Sequence, residues 1–186
     1  MSILESACTQ FARYGFRKAT VEDIARGAGL KKPSVYYYFK SKNEIIRAVV
    51  SRESRELLTR MERAAAEKTA IGEKLEAFFR ARYRYFKEKK RLGTITLDEI
   101  DEMRLLLMDA RRAFFEQEIE ALSKLLEHGV AAGEIEIDNP RLCALVTVAA
   151  LQGVDDTFWR RGFEDQIEEG ITLMMEIFLR GLRKEH

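Results

Sequence analysis

Pro33 and Pro140 are the only prolines in a chain of 186 residues. Around them, apolar residues recur three or four positions apart over long spans. No run alternates apolar with polar residues as a half-buried strand would. With almost nothing to break helices, that spacing predicts an all-α chain whose divisions are set by glycines and capping residues.

Those signals divide the chain as follows. A first helix is expected over residues 3–14, stopped by Gly15 as a left-handed end. Thr20-Val-Glu-Asp23 is a capping-box-like start for a second helix, which breaks at Gly27-Ala-Gly29. A third, short helix covers 32–39, with Pro33 in the first turn, where no intrahelical donor is required. Ser41-Lys-Asn-Glu44 opens a fourth helix to about 66, and a fifth is expected over 71–88. A polar stretch near 87–96 reads as a loop. Helices over 97–109 and 111–131 follow, then a loop marked by Gly129 and Gly133. Asn139-Pro140 starts a helix to 161, and a last one covers 165–183.

Charge is unevenly placed. Residues 1–50 carry +5 and the remainder −4, a basic head on a mildly acidic body. Such asymmetry is expected when one end meets a polyanion, although chance clustering in a charge-rich chain would give it too. The longest uncharged apolar run, Leu142 to Val154, is shorter than the roughly 20 residues of a membrane helix, and the opening MSILESACTQF has no apolar export segment. Cys8 and Cys143 lack metal or redox spacing and read as small buried hydrophobes in a reducing compartment, which points to the cytoplasm. Two histidines, His128 and His186, with no catalytic triad, phosphate loop or metal-ligand cluster, argue against an enzyme and against a cofactor or metal.

Three short helices, the last two joined by a Gly-containing turn, form a helix-turn-helix layout, in which the final helix enters the DNA major groove. Val35 and Phe39, four apart, would share the face that packs on Ile24, Leu30 and Phe11. Lys32, Pro33, Ser34, Tyr36 and Tyr37 would lie opposite or at the tip, and these types suit phosphates, base edges and thymine methyls. Lys42, at the start of the fourth helix, would stand near a phosphate. An ordinary helical hairpin with solvated lysines fits the same spacing; a module whose basic head binds another protein would give the charge asymmetry but would not need the Pro-Ser-Val-Tyr spacing.

The run ATVEDIARGAGLKKPSVYYYFKSKNEII resembles the DNA-binding signature of the TetR family of transcriptional regulators. The matching positions are Thr20, Ile24, Ala25, Ala28, Gly29, Leu30, Pro33, Ser34, Val35, Tyr36, Tyr38, Phe39, Ser41, Lys42 and Ile45. The segment ILESACTQFARYGFRKAT is similar to that family's first helix, and GVAAGEIEIDNPRLCALVTVAALQGV more loosely to the entry into its dimerising bundle. The resemblance implies an N-terminal three-helix DNA-binding domain (1–46) and a C-terminal helical effector-binding and dimerisation domain (47–186). It also implies a repressor that binds a palindromic double-stranded DNA operator as a homodimer and is released by a small-molecule effector. By position, Thr20 and Lys42 would contact phosphate, and Lys32, Pro33, Ser34, Tyr36 and Tyr37 would form the recognition surface, with Tyr38 undecided. Lys31 departs from the Ser or Thr common at that site; it forfeits a cap but adds charge for a phosphate.

Residues 142–151 carry no charge, so their helix must be covered on every side, by a large core or by a second subunit. Because the resemblance is to dimers, a four-helix interface burying Leu145, Ala149, Ile171, Met174 and Phe178 is expected. Phe78, Phe79, Tyr83, Met103, Leu107, Met108, Phe114 and Phe115 are aromatic or flexible residues of the middle helices. As a set they suggest a largely hydrophobic effector, with Gln152 among the candidates for a polar end; singly, each also fits plain core.

Overall fold

The computed structural model describes residues 1–91, 103, 105–161 and 166–182. Among them are eight α-helices: α1 (Ile3–Lys18), α2 (Val21–Gly27), α3 (Lys32–Tyr38), α4 (Lys42–Ala66), α5 (Ile71–Arg91), α6 (Met108–Ala131), α7 (Pro140–Arg161) and α8 (Ile167–Gly181). No strand occurs among the described residues, so the chain is all-α as its periodicity predicts. The helix expected over 97–109 falls mostly outside the described residues; Met103 is helical, 105–107 form a turn, and α6 begins at Met108 rather than Arg111.

Local chemistry sets most helix starts. Ser2 and Glu5 close a reciprocal capping box at α1, with Ser2 N–H donating to Glu5 Oε2 at 2.7 Å. Thr20 and Asp23 do the same at α2. Asn139 Oδ1 accepts from the Leu142 N–H at 2.9 Å before α7. At α4 the Ser41 hydroxyl accepts from the Glu44 N–H at 3.2 Å, while the Glu44 carboxylate reaches back to the Lys40 N–H. The expected stop at Gly15 is a kink instead. Gly15 leaves helical geometry at φ 76°, but the chain turns again through Lys18, and the Ala19 N–H closes on the Gly15 carbonyl at 3.2 Å.

The chain divides into two compact units, residues 1–56 with 84–114, and residues 57–83 with 115–186. Each of the three divisions falls inside a helix, α4, α5 or α6, whereas the expected boundary at residue 46 lies within the first unit's stretch of α4.

In the N-terminal unit, Ala7 and Phe11 of α1, Ile24 and Ala25 of α2, Val35 of α3, and Ile45, Ile46 and Val49 of α4 form one buried cluster, joined by Met103. The buried Ser6 hydroxyl donates to the Ile24 carbonyl at 2.7 Å, and a β-carbon on Gly27 would collide with that hydroxyl, so α1 and α2 approach closely there. The other unit buries Leu75, Phe78 and Phe79 of α5, Ile119, Leu122 and Leu126 of α6, Ala144, Val148 and Leu151 of α7, and Ile171 and Met175 of α8. Inside it lies an ion pair, Arg82 Nε to Glu118 Oε1 at 2.7 Å, with both side chains almost wholly buried.

Candidate nucleic-acid interface

α2 and α3 are held at their turn by Gly29, whose φ of 70° is the left-handed conformation that residues with a β-carbon avoid. The turn needs it: the Leu30 N–H donates back to the Ala25 carbonyl at 2.9 Å. α3 then anchors through one face. Val35 is fully buried, and Phe39 packs against the same cluster half-buried. Leu30 does not join that face as expected. It is 40% exposed, because the tight turn carries it past the core.

Apart from half-buried Ser34, the rest of α3 faces solvent. Lys31, Lys32 and Pro33 are exposed. Tyr36, Tyr37 and Tyr38 are 43%, 84% and 65% exposed. Tyr38, undecided from sequence, thus shares the open side, its ring edge-on to Tyr37 with centroids 5.1 Å apart. Three solvent-facing tyrosines on a seven-residue helix bury little that would hold the fold, but they offer hydroxyls and flat rings to a partner. Lys31 precedes α3 without any side-chain cap bond.

Two of the expected phosphate contacts have structural duties. The Thr20 hydroxyl accepts from the Asp23 N–H at 3.1 Å and donates to the Asp23 carboxylate. That hydroxyl, followed by the Thr20 N–H, holds the Asp23 carboxyl below its usual value. Lys42 is further committed. Its ammonium donates to the carbonyls of Phe16, Arg17 and Ala19 at 2.7, 3.2 and 3.1 Å and lies 4.5 Å from the centre of the Phe16 ring. Burial lowers its pKa from the ordinary lysine value. An ammonium has three donors, and all three are used, so a phosphate would reach Lys42 only by displacing a carbonyl. Sequence spacing could not reveal this, because the acceptors lie more than twenty positions earlier.

The other expected sites are distributed as follows. Met103 is buried in the N-terminal cluster and Leu107 packs against it. Met108 is 59% exposed and Phe114 half-buried; both belong to the N-terminal unit. Phe78, Phe79, Tyr83, Phe115 and Gln152 belong to the other unit, the first two fully buried and edge-on to each other at 5.4 Å. The proposed pocket residues are therefore divided between the units. A groove of about 180 Å³ between α5 and α8, lined by Phe79, Ile171, Thr172 and Met175 among others, lies within the second unit.

Of the expected dimer residues, Leu145 and Ala149 are exposed, Ile171 is buried, Met174 is half-buried, and Phe178 meets Phe79 edge-on at 6.3 Å. Exposed apolar residues that the sequence reading missed are Leu142, Val146, Leu173 and Ile177, each at least 53% exposed. The missing signal was phase: the residues one turn away on α7 and α8 show which face the intrachain core leaves open.

Residues 3–49 match the family model described as bacterial regulatory proteins, tetR family. The chain is 26% identical over 136 residues to the fatty acid metabolism regulator protein of Bacillus subtilis strain 168, covering 73% of this chain and 70% of that one. It is 28% identical over 137 residues to the HTH-type transcriptional repressor KstR2 of Mycolicibacterium smegmatis, covering 73% and 67%. A transcriptional regulator from Cytophaga hutchinsonii shares the fold at a TM-score of 0.84 and 22% identity, over 98% of this chain and 97% of that chain.

Proposed function

Because this chain belongs to the TetR family of transcriptional regulators, we propose that it acts in the cytoplasm as a repressor. It binds a palindromic operator as a homodimer and leaves the DNA when a small, largely hydrophobic effector binds its C-terminal domain. The observation that carries the operator reading is α3 itself. One buried residue, Val35, fixes the helix, while Lys32, Pro33, Tyr36 and Tyr37 are exposed at its open side and tip. Lys31 flanks it for a phosphate, Thr20 would add a second only by turning its hydroxyl from Asp23, and Lys42 supports it through the clamp on residues 16–19. Among the described residues no helix is long and apolar enough to cross a membrane. Regulation of transcription, not catalysis, is the activity of its relatives.

Dimerisation is supported by the open apolar face of α7 and α8, and by what paired recognition helices require. Two half-sites one DNA turn apart, roughly 34–36 Å, need two copies. For the effector, the buried aromatic residues of α5 favour an apolar guest, and the role of the Bacillus subtilis relative in fatty acid metabolism makes fatty acyl compounds the first class to test.

Fluorescence anisotropy with duplexes from upstream of the chain's own gene tests the reading. Specific binding is expected, weakened by Tyr36→Ala and Tyr37→Ala with the fold intact, steeply dependent on salt, and reversed by the effector. No preference for any palindromic duplex over random DNA would overturn it.

A further inference from the structure

The exposed surface between α2 and α3 carries one acid that local structure does not employ. The opening turn of α2 holds Glu22 and Asp23. Asp23 closes the box with Thr20 and stands 3.6 Å from Arg26. Glu22 does neither. Among the described residues its carboxylate has Lys32 as its partner, Oε2 to Nζ 3.9 Å, with the two side chains 64% and 49% exposed. Both line a concave surface of about 330 Å³ between α2 and α3, together with Arg26, Leu30 and Lys31.

Neither its ion pair nor phosphate binding accounts for Glu22, whose place in the first turn of α2 any acid would fill equally well. A long, exposed ion pair contributes next to nothing to folding. A carboxylate set among three cations also opposes binding to any phosphate backbone, whatever the sequence. A base edge is different. In the major groove a G·C pair presents acceptors, guanine O6 and N7, beside a donor, the cytosine N4 amine. An ammonium and a carboxylate held side by side present the complementary order, donor beside acceptor.

We propose that Lys32 and Glu22 together read one G·C pair in each operator half-site, Lys32 donating to guanine O6 or N7 and Glu22 accepting from the cytosine N4 amine. This rests on the operator-binding reading above. The arrangement discriminates by reversal. Replacing G·C by A·T puts the adenine N6 donor where guanine O6 faced Lys32, and the thymine O4 acceptor where the cytosine amine faced Glu22. A Lys32 contact to O6 and the Glu22 contact then both oppose binding; a Lys32 contact to N7 would survive in adenine, leaving Glu22 to carry the discrimination.

The test is selection from random duplexes by the full chain, its Glu22→Ala variant and its Lys32→Ala variant, followed by competition between duplexes differing at one pair. Wild type is expected to hold G·C at one position per half-site and to reject A·T there by about five- to a hundredfold. Glu22→Ala should lose that preference at that position alone while binding random DNA more tightly; Lys32→Ala should relax the same position while binding random DNA more weakly. Glu22 is well exposed and outside the capping box, so its truncation leaves the fold intact, which a melting curve confirms. An unchanged ratio in Glu22→Ala, or the two variants relaxing different positions, overturns the proposal while leaving operator binding standing. A wild type that enriches no sequence overturns the operator reading itself.

Discussion

α5 carries two ion pairs of the same length and opposite setting, and they should respond to mutation very differently. Arg80 Nε meets Glu76 Oε1 at 2.7 Å with side chains 53% and 48% exposed. Arg82 Nε meets Glu118 Oε1 at 2.7 Å with side chains 4% and 0% exposed. Geometry is equal, so solvent decides. In water the Arg80 pair is screened and contributes about 0.3–0.5 kcal/mol. Removing Arg82 leaves the Glu118 carboxylate without its guanidinium one turn from buried Leu122, a change that costs roughly 3–5 kcal/mol. For a chain of this size, 1 kcal/mol moves the melting temperature by about 2–4 °C. Arg82→Met should therefore melt roughly 6–20 °C below wild type, and Arg80→Met within about 2 °C of it. The double variant Arg82→Met/Glu118→Leu should recover most of the loss, because two apolar chains of similar volume replace two buried charges. Thermal denaturation followed by circular dichroism, at one fixed protein concentration so that association does not move the midpoint, reads all four. An Arg82→Met midpoint within 2 °C of wild type, or a double variant no more stable than Arg82→Met, would refute the reasoning.

Three further outcomes follow from other sites. Lys42→Met keeps the alkyl stem near Phe16 but loses three charge-assisted hydrogen bonds; it should lower the melting temperature while leaving the salt dependence of DNA binding unchanged, whereas a phosphate contact would reduce the slope by about one. Asp23, held below 3.8 by the Thr20 hydroxyl, contributes stability present above that pH and lost as the pH falls through its lower folded value; in Thr20→Val its titration midpoint by NMR should rise toward 3.8. Ile177, 63% exposed, leaves the single chain's core untouched when changed, so Ile177→Asp should yield a folded monomer in sedimentation, with operator binding weakened about tenfold or more.

What the sequence revealed, and what it hid, separates by range. The capping box at Thr20, the hydroxyl cap at Ser41, the turn at Gly29 and the buried register of Val35 depend on residues a few positions apart, so spacing alone exposed them; the Glu44 carboxylate, however, closes on Lys40 rather than on Ser41. The exposure of Tyr36 and Tyr37 follows from the same register. Leu30 was misplaced because a turn residue has no helical phase to read. The occupation of Lys42 was hidden because its acceptors come from the kinked end of α1, and no local pattern marks a lysine that bends back on its own domain. The division of the aromatic and methionine set was hidden for the same reason: residue type suggests a pocket, whereas only contacts tell which core a residue serves.

Met103 shows why the functional and the physical boundary of the N-terminal domain differ. The helices proposed to read DNA end before residue 46, and motif logic places a border there. The cluster that supports them does not end there. Val49 continues it along α4, Met103 enters it 2% exposed, and Leu106 and Leu107 pack against it. Arg47 Nε donates to the Leu106 carbonyl at 3.1 Å, and the Tyr85 hydroxyl donates to Glu53 Oε2 at 2.7 Å. A three-helix unit of under fifty residues has little core of its own, since small domains bury a low fraction of their surface. Apolar side chains supplied from residues 84–114 enlarge it. The proposed recognition surface is thus written in a short motif, while part of the core beneath it, Met103, Leu106 and Leu107, comes from far outside that motif.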